Sequence, residues 1–244
     1  MSIVFRGKTI PIKVEVCKIS NEIIKSKLIK NWLESLDESM TLQSITFQSV
    51  DFFSSNHIGF IKFKADIKRN GSSLPGICLL RGSAISLLII FIDEETGKKW
   101  TVLTRQPRVP TGNIALELPA GMTDGNGDIK GVAIREVEEE CGIKIPSNEL
   151  IDLTALAYGD KTKGVPTSGG LLDETLHLFA WHKKLKHEKI LELEGRKGGI
   201  DEHEQITLRI VPFEDLWKTT PDSKALCSIV LYEKLLKEGK ICFN

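Results

Sequence analysis

The sequence predicts an α+β fold, with a large domain of strands and a few helices behind a smaller β-rich lobe. Three observations carry that reading. Strand-like segments recur along the chain, and only a few helical patterns interrupt them. Residues 84–92 form the most apolar run, far too short to span a bilayer, and read as a buried strand. The 244 residues, 41% of them apolar, are enough for one large domain with an added lobe. The lobe is assigned to residues 1–80 and the main domain to 81–244.

Within the lobe, residues 12–16 alternate as a strand, with Ile12, Val14 and Val16 on one side and Lys13 and Glu15 on the other. Residues 21–36 read as one amphipathic helix, because Ile24, Leu28, Trp32 and Leu36 form a stripe. Residues 45–53 and 58–67 are strand-like; in the second, Phe63, Ala65 and Ile67 alternate with Lys64, Asp66 and Lys68. Arg69-Asn70-Gly71-Ser72 is a turn signal. Residues 83–92 and 100–104 make an apolar pair around the polar loop 93–97. Further strands are expected at 150–157, 174–181 and 205–211. A short helix is expected at 213–218 and a longer one at 223–236.

Formal net charge is zero. That argues against nucleic acid or an anionic membrane as a bulk electrostatic partner, and leaves room for a local phosphate pocket. The five cysteines, Cys17, Cys78, Cys141, Cys227 and Cys242, are scattered and free of CxxC spacing. They fit a reduced compartment and argue against a zinc site. The first residues lack the apolar region of a secretory signal, and nothing specific supports an organellar one, so a cytoplasmic protein is expected.

Residues 121–143 carry the chemistry. Glu136, Glu139 and Glu140 stand at i, i+3 and i+4, so a helix puts them on one face. Ala133, Ile134, Val137 and Cys141 fall on another face, suited to a core. Like charges at that spacing repel, so the stripe needs water, basic partners or a metal. Carboxylates supply the oxygen ligands that hard divalent cations take. Gly142 stands where a helix-ending glycine is expected.

The string Arg135-Glu136-apolar-x-Glu139-Glu140-x-Gly142-apolar, with Gly121 fourteen residues before Arg135, resembles the signature of the Nudix hydrolases. One position departs from it: Gly127 stands where the family box has a glutamate. Asp128 follows, and is either the helix N-cap or a carboxylate one residue late. The resemblance implies a Nudix α/β/α sandwich with a mixed sheet, and hydrolysis of a nucleoside diphosphate linked to another group. It implies metal ligands at Glu136, Glu139, Glu140 and the Ala120 main-chain carbonyl. It gives Gly121, Arg135 and Gly142 structural roles, with Arg135 orienting the glutamates. Magnesium is the implied ion, with manganese as the alternative.

Thr104-Arg105-Gln106-Pro107-Arg108 and Leu116-Glu117-Leu118-Pro119-Ala120-Gly121 look like the ADP-ribose and nucleotide-sugar branch. Lys30-Asn31-Trp32-Leu33-Glu34, Gly59 to Asp66 and Pro75-Gly76-Ile77 are similar to plant-type ADP-sugar diphosphatases. This likeness implies Arg108 on the pyrophosphate, with Arg105 a weaker candidate, and Glu117 near the metals. Glu202 matches the general base, with Glu139 beside it as a catalytic carboxylate, and Glu204 matches a further metal ligand. Asp173 and Glu174 are a second candidate pair, for the base or for substrate hydroxyls. An adenine-stacking aromatic is expected among Phe52, Phe53 and Trp100. The likeness also implies a homodimer whose lobe contributes to the substrate pocket. Alternatives are a UDP-glucose preference, or a binding protein that kept the fold without the activity.

Overall fold

Two periodicities in the sequence build two sheets. The computed structural model describes residues 1–14, 20–54, 57–123, 128–199 and 205–242. These divide into two compact units, Met1–Gly82 with Pro166–Glu174, and Ser83–Val165 with Thr175–Asn244. The division falls two residues beyond the expected one, and a distant segment, 166–174, groups with the first unit.

The first unit contains β1 (Ser2–Phe5), β2 (Lys8–Val14), α1 (Asn21–Ile24), α2 (Lys27–Ser35), β3 (Thr41–Ser54), β4 (His57–Arg69), β5 (Ser72–Leu74) and β6 (Ile77–Leu80). The strands lie in the order β1-β2-β3-β4-β5, with β6 also paired to β4. In β4 the alternation is as expected: Phe63, Ala65 and Ile67 are buried while Lys64, Asp66 and Lys68 are exposed. Trp32 of α2 packs edge-on against Phe63, ring centroids 4.7 Å apart. The turn at Asn70-Gly71 has positive φ at both residues, the conformation that suits a tight hairpin between right-twisted strands.

The helix expected over 21–36 is two helices. Ser26 interrupts it, because its hydroxyl accepts from Ile29 N and so starts a new helix. The strand expected at 12–16 begins earlier, at Lys8, and residues 15–16 lie outside the described ones.

The second unit contains β7 (Ala84–Asp93), β8 (Lys99–Arg108), β9 (Asn113–Glu117), β10 (Ala120–Met122), α3 (Ile129–Cys141), β11 (Ile151–Asp152) and α4 (Leu153–Tyr158). After the short β12 (Val165–Pro166) come β13 (Thr175–Leu185), α5 (His187–Leu191), β14 (Lys197–Gly198), β15 (Ile206–Pro212), α6 (Leu216–Thr219) and α7 (Ser223–Lys237). The main strand order is β11-β13-β7-β8-β15-β14, with β9 on β8 and β10 on β7. β7 and β13 run parallel, whereas β8 and β10 on β7 and β11 on β13 are antiparallel, so the sheet is mixed.

The apolar run in β7 is now explained. Ile85, Leu87, Ile89 and Phe91 face one layer, which holds Val132, Ala133, Val137 and Cys141 of α3 and Ile190 of α5. Ala84, Leu88 and Ile90 face the other, which holds Leu153 of α4, Leu216 of α6 and Ala225, Ile229 and Tyr232 of α7. A strand covered on both faces has no polar side to display. This is the expected α+β sandwich, with helices on both faces of a mixed sheet.

The strand expected over 150–157 is mostly a helix. Asp152 accepts from Ala155 N and caps α4, so the apolar residues that follow enter a helical turn.

Candidate active site

Helix α3 is set at both ends by its sequence. Asp128 Oδ1 accepts from Gly131 N at 2.9 Å, so Asp128 is the N-cap. Gly142 ends the helix at φ 67°, and its N–H returns to Glu138 O. Val132, Ala133, Val137 and Cys141 are buried, which fixes the rotation of the helix. Glu136 is then half-buried, Glu139 exposed and Glu140 buried. Arg135 points from the exposed side.

Two of the three glutamates converge on β10. Glu140 Oε2 accepts from Ala120 N at 3.2 Å. Glu136 lies over Gly121 so closely that a Cβ there would fall inside its carboxylate. Gly121 is therefore the floor of a carboxylate cradle. β10 is in turn held against the first half of β7, with Ala120 opposite Ser86 and Gly121 opposite Ile85. Pro119 O accepts from both Leu87 N and Ser86 Oγ.

The C-terminal end of α3 meets another segment. Gly199 N donates to Glu139 O at 3.1 Å, and a Cβ on Gly198 would fall on the Glu140 carbonyl. The end of β14 is thus held to the end of the glutamate helix. Gly127, Glu202 and Glu204, and with them the expected base, lie outside the described residues, as does Cys17.

A second cluster lies in the same unit. Glu117, nearly buried, receives the Arg108 fork, Nε to Oε1 and Nη2 to Oε2, both 3.0 Å. Lys224 Nζ donates to Glu117 Oε2 at 2.8 Å and to Asp222 Oδ1 at 2.9 Å. Asp222 Oδ2 accepts from Leu118 N. Burial pushes the Glu117 carboxyl up, but Arg108 and Lys224 outweigh it and hold it below its ordinary 4.5. The hydrogen bonds to Glu117 raise Arg108, and the charges of Glu140 and Asp222 raise it further.

A carboxyl lowered by folding stabilises the fold above its ordinary value, and that stabilisation is lost as pH falls through the folded one. Asp93, held low by Thr96, and Asp37, held low by Ser39, act in the same direction. The melting temperature is therefore expected to fall steeply only below about pH 4.5. In Glu117→Gln that acid-induced fall should be shallower; equal slopes from pH 5 to pH 3 would show that Glu117 contributes nothing to it.

Other expected site residues lie elsewhere. Arg105 is exposed on β8. Asp173 and Glu174 belong to the first unit, where both carboxylates are engaged. Asp173 Oδ1 accepts from Arg81 N and Gly82 N, while Glu174 pairs with Arg81 at 3.0 Å and accepts from Thr167 Oγ1. Phe52 and Phe53 are exposed on β3, and the Phe53 ring covers Gly59. Trp100 packs against the core of the second unit and beside His187.

Lys224 and Asp222 were not singled out in the sequence. The signal was there: a lysine in the first turn of a helix opposes the helix dipole unless a carboxylate holds it. Asp222, just ahead of a helical run after Pro221, is a cap pattern.

A NUDIX domain model matches residues 83–228, beginning where the second unit begins. The chain belongs to the Nudix hydrolase family. It is 44% identical over 235 residues to Nudix hydrolase 14, chloroplastic, of Arabidopsis thaliana, covering 90% of this chain and 74% of that protein. It is 41% identical over 63 residues to a putative nudix hydrolase 2 of Caenorhabditis elegans, covering 26% of this chain and 28% of that one. Among solved structures, a crystal structure of an ADP compounds hydrolase superposes with a TM-score of 0.54 at 17% identity, over 84% of this chain and 98% of that chain. That likeness shows the fold.

Nudix hydrolases generally use divalent metal ions. Among the described residues no three His, Cys, Asp or Glu side chains gather tightly enough to hold a metal by themselves. The Nudix carboxylates nonetheless fit a hard divalent cation: the donors are oxygens, and the bare Cα of Gly121 leaves room for the Glu136 carboxylate. Also among the described residues, no helix is long and apolar enough to cross a membrane.

Proposed function

We propose that this Nudix hydrolase cleaves the pyrophosphate bond of ADP-sugars, such as ADP-glucose and ADP-ribose, to AMP and a sugar phosphate. The observation that carries the reading is the convergence of Glu136 and Glu140 on Ala120-Gly121. Glu136, Glu139, Glu140, Glu204 and the Ala120 carbonyl would hold magnesium, or manganese in its place. Bound there, a divalent cation supplies charge neutralisation of the pyrophosphate and a more acidic water.

Arg108 offers two parallel N–H groups to the phosphate oxygens. Glu202 takes a proton from the attacking water. The water oxygen forms a bond to one phosphorus, and the bridging P–O bond breaks, its oxygen leaving on the other phosphate. Glu202 is preferred to Asp173 and Glu174 because those two already accept hydrogen bonds from Arg81, Gly82 and Thr167. The Gly199–Glu139 hydrogen bond supports the same choice, since Glu202 follows three residues later. The N-terminal unit is proposed to build a homodimer, which light scattering of the full chain would measure. A reducing compartment such as the cytoplasm is proposed from the scattered cysteines without CxxC spacing.

The test is a panel of ADP-glucose, ADP-ribose, UDP-glucose, diadenosine polyphosphates and dNTPs, each with magnesium and with EDTA. Magnesium-dependent AMP release from an ADP-sugar is the expected result. UMP release in preference to AMP would overturn the base assignment, and turnover indifferent to EDTA would overturn the metal.

A further inference from the structure

Four charged side chains tie the start of α7 to the strand that leads into β10, and they are not equivalent. Lys224, Glu117 and Asp222 are 14%, 12% and 5% exposed, whereas the Arg108 side chain is 40% exposed. Arg108 is thus the member that can leave; the other three are closed in. In the present arrangement two cations balance two carboxylates. If Arg108 turns to a phosphate, Glu117 and Asp222 remain with one cation between them, which lies within hydrogen-bond distance of both.

We propose that Lys224 is a positioning residue of the active site: it stays on Glu117 when the Arg108 fork moves from that carboxylate to the pyrophosphate, so Glu117 keeps a counter-charge throughout. This rests on the assignment of Arg108 to the pyrophosphate. Without Lys224, release of Arg108 would leave two uncompensated carboxylates beside an anionic substrate, and the nearly buried Glu117 would hold the arginine back. Fastening α7 to β9 does not by itself require the lysine. Thr220 Oγ1 already donates to Leu116 O, and Asp222 Oδ2 already accepts from Leu118 N. Three successive residues, Leu116, Glu117 and Leu118, are held by the segment that runs from Thr220 to Lys224, but only the middle grip is a salt bridge to Arg108's partner.

The experiment uses the full chain and two readouts. Steady-state kinetics on ADP-glucose, or on whichever panel member the wild type hydrolyses best, should show Lys224→Met raising KM about tenfold, with kcat changed far less. Calorimetric binding of the same compound in EDTA should weaken by a similar factor, and Lys224→Arg should restore most of it. In a Glu117→Gln background Arg108 has no carboxylate to leave and the ammonium keeps only Asp222, so Lys224→Met should weaken binding less than about twofold. An equal loss in both backgrounds, or the same loss from Thr220→Val, would reduce Lys224 to a fastening of α7 and overturn the proposal. Turnover by the wild type with an unmoved KM in Lys224→Met overturns it alone. No turnover of any panel member by the wild type overturns the ADP-sugar reading first, and this one with it.

Discussion

Glu140→Gln is expected to lower turnover by about a thousandfold, roughly 4 kcal/mol of transition-state stabilisation, while the protein stays folded. The two halves of that expectation have separate causes. The glutamine keeps the length and shape of the side chain, and its amide oxygen still accepts from Ala120 N. What it loses is the negative charge at a buried position, the charge that the metal-ligand assignment requires. The measurement is kcat with magnesium beside a thermal melt. Full activity would remove Glu140 from the site. A melting point more than about 4 °C lower, a shift that corresponds to roughly 1–2 kcal/mol, would make the residue structural instead.

Gly121→Ala is expected to cost activity about a hundredfold, roughly 3 kcal/mol, with little change in stability. The backbone there is not in the left-handed region, so alanine fits the chain itself. The new methyl instead takes the volume held by the Glu136 carboxylate, which is the far end of a half-buried, flexible side chain and is displaced. Gly198→Ala is the control with the opposite signature. Its methyl would meet the backbone carbonyl of Glu140, which has nowhere to go, so the cost of about 1–3 kcal/mol falls on stability. Kinetics and melts on both variants separate the cases. An active Gly121→Ala enzyme would show that Glu136 is free to work from another position.

Much of this was legible in the sequence, because local pattern dictates it. The helix of residues 129–141, its glycine stop, the hairpin at Asn70-Gly71 and the buried strand of residues 84–93 all follow from spacing within a few residues. The errors came where a side chain competed with the periodic signal. Ser26 split one helix in two, and Asp152 turned an apolar stretch from strand to helix. The pairings that decide the site lay further out of reach. Glu117 meets Lys224 across 107 residues, and Asp173 meets Arg81 N across 92. No periodicity reports such partners, so a carboxylate already engaged looks the same in the sequence as one free for catalysis.

The central strand pairing of the second unit has a consequence for how the chain acquires its shape. β7 and β13 lie side by side from Ala84 opposite Leu176 to Asp93 opposite Leu185, yet some ninety residues separate them along the chain. Every part of the glutamate helix is synthesised in the interval. A nascent chain that has already delivered Glu136, Glu139 and Glu140 still lacks the neighbour that completes the middle of its sheet. Closing so long a loop is slow compared with forming hairpins and helices. Cradle and carboxylates therefore reach their working arrangement late in folding, after the ribosome has passed residue 185, and a shorter fragment has the whole signature motif without the sheet that supports it.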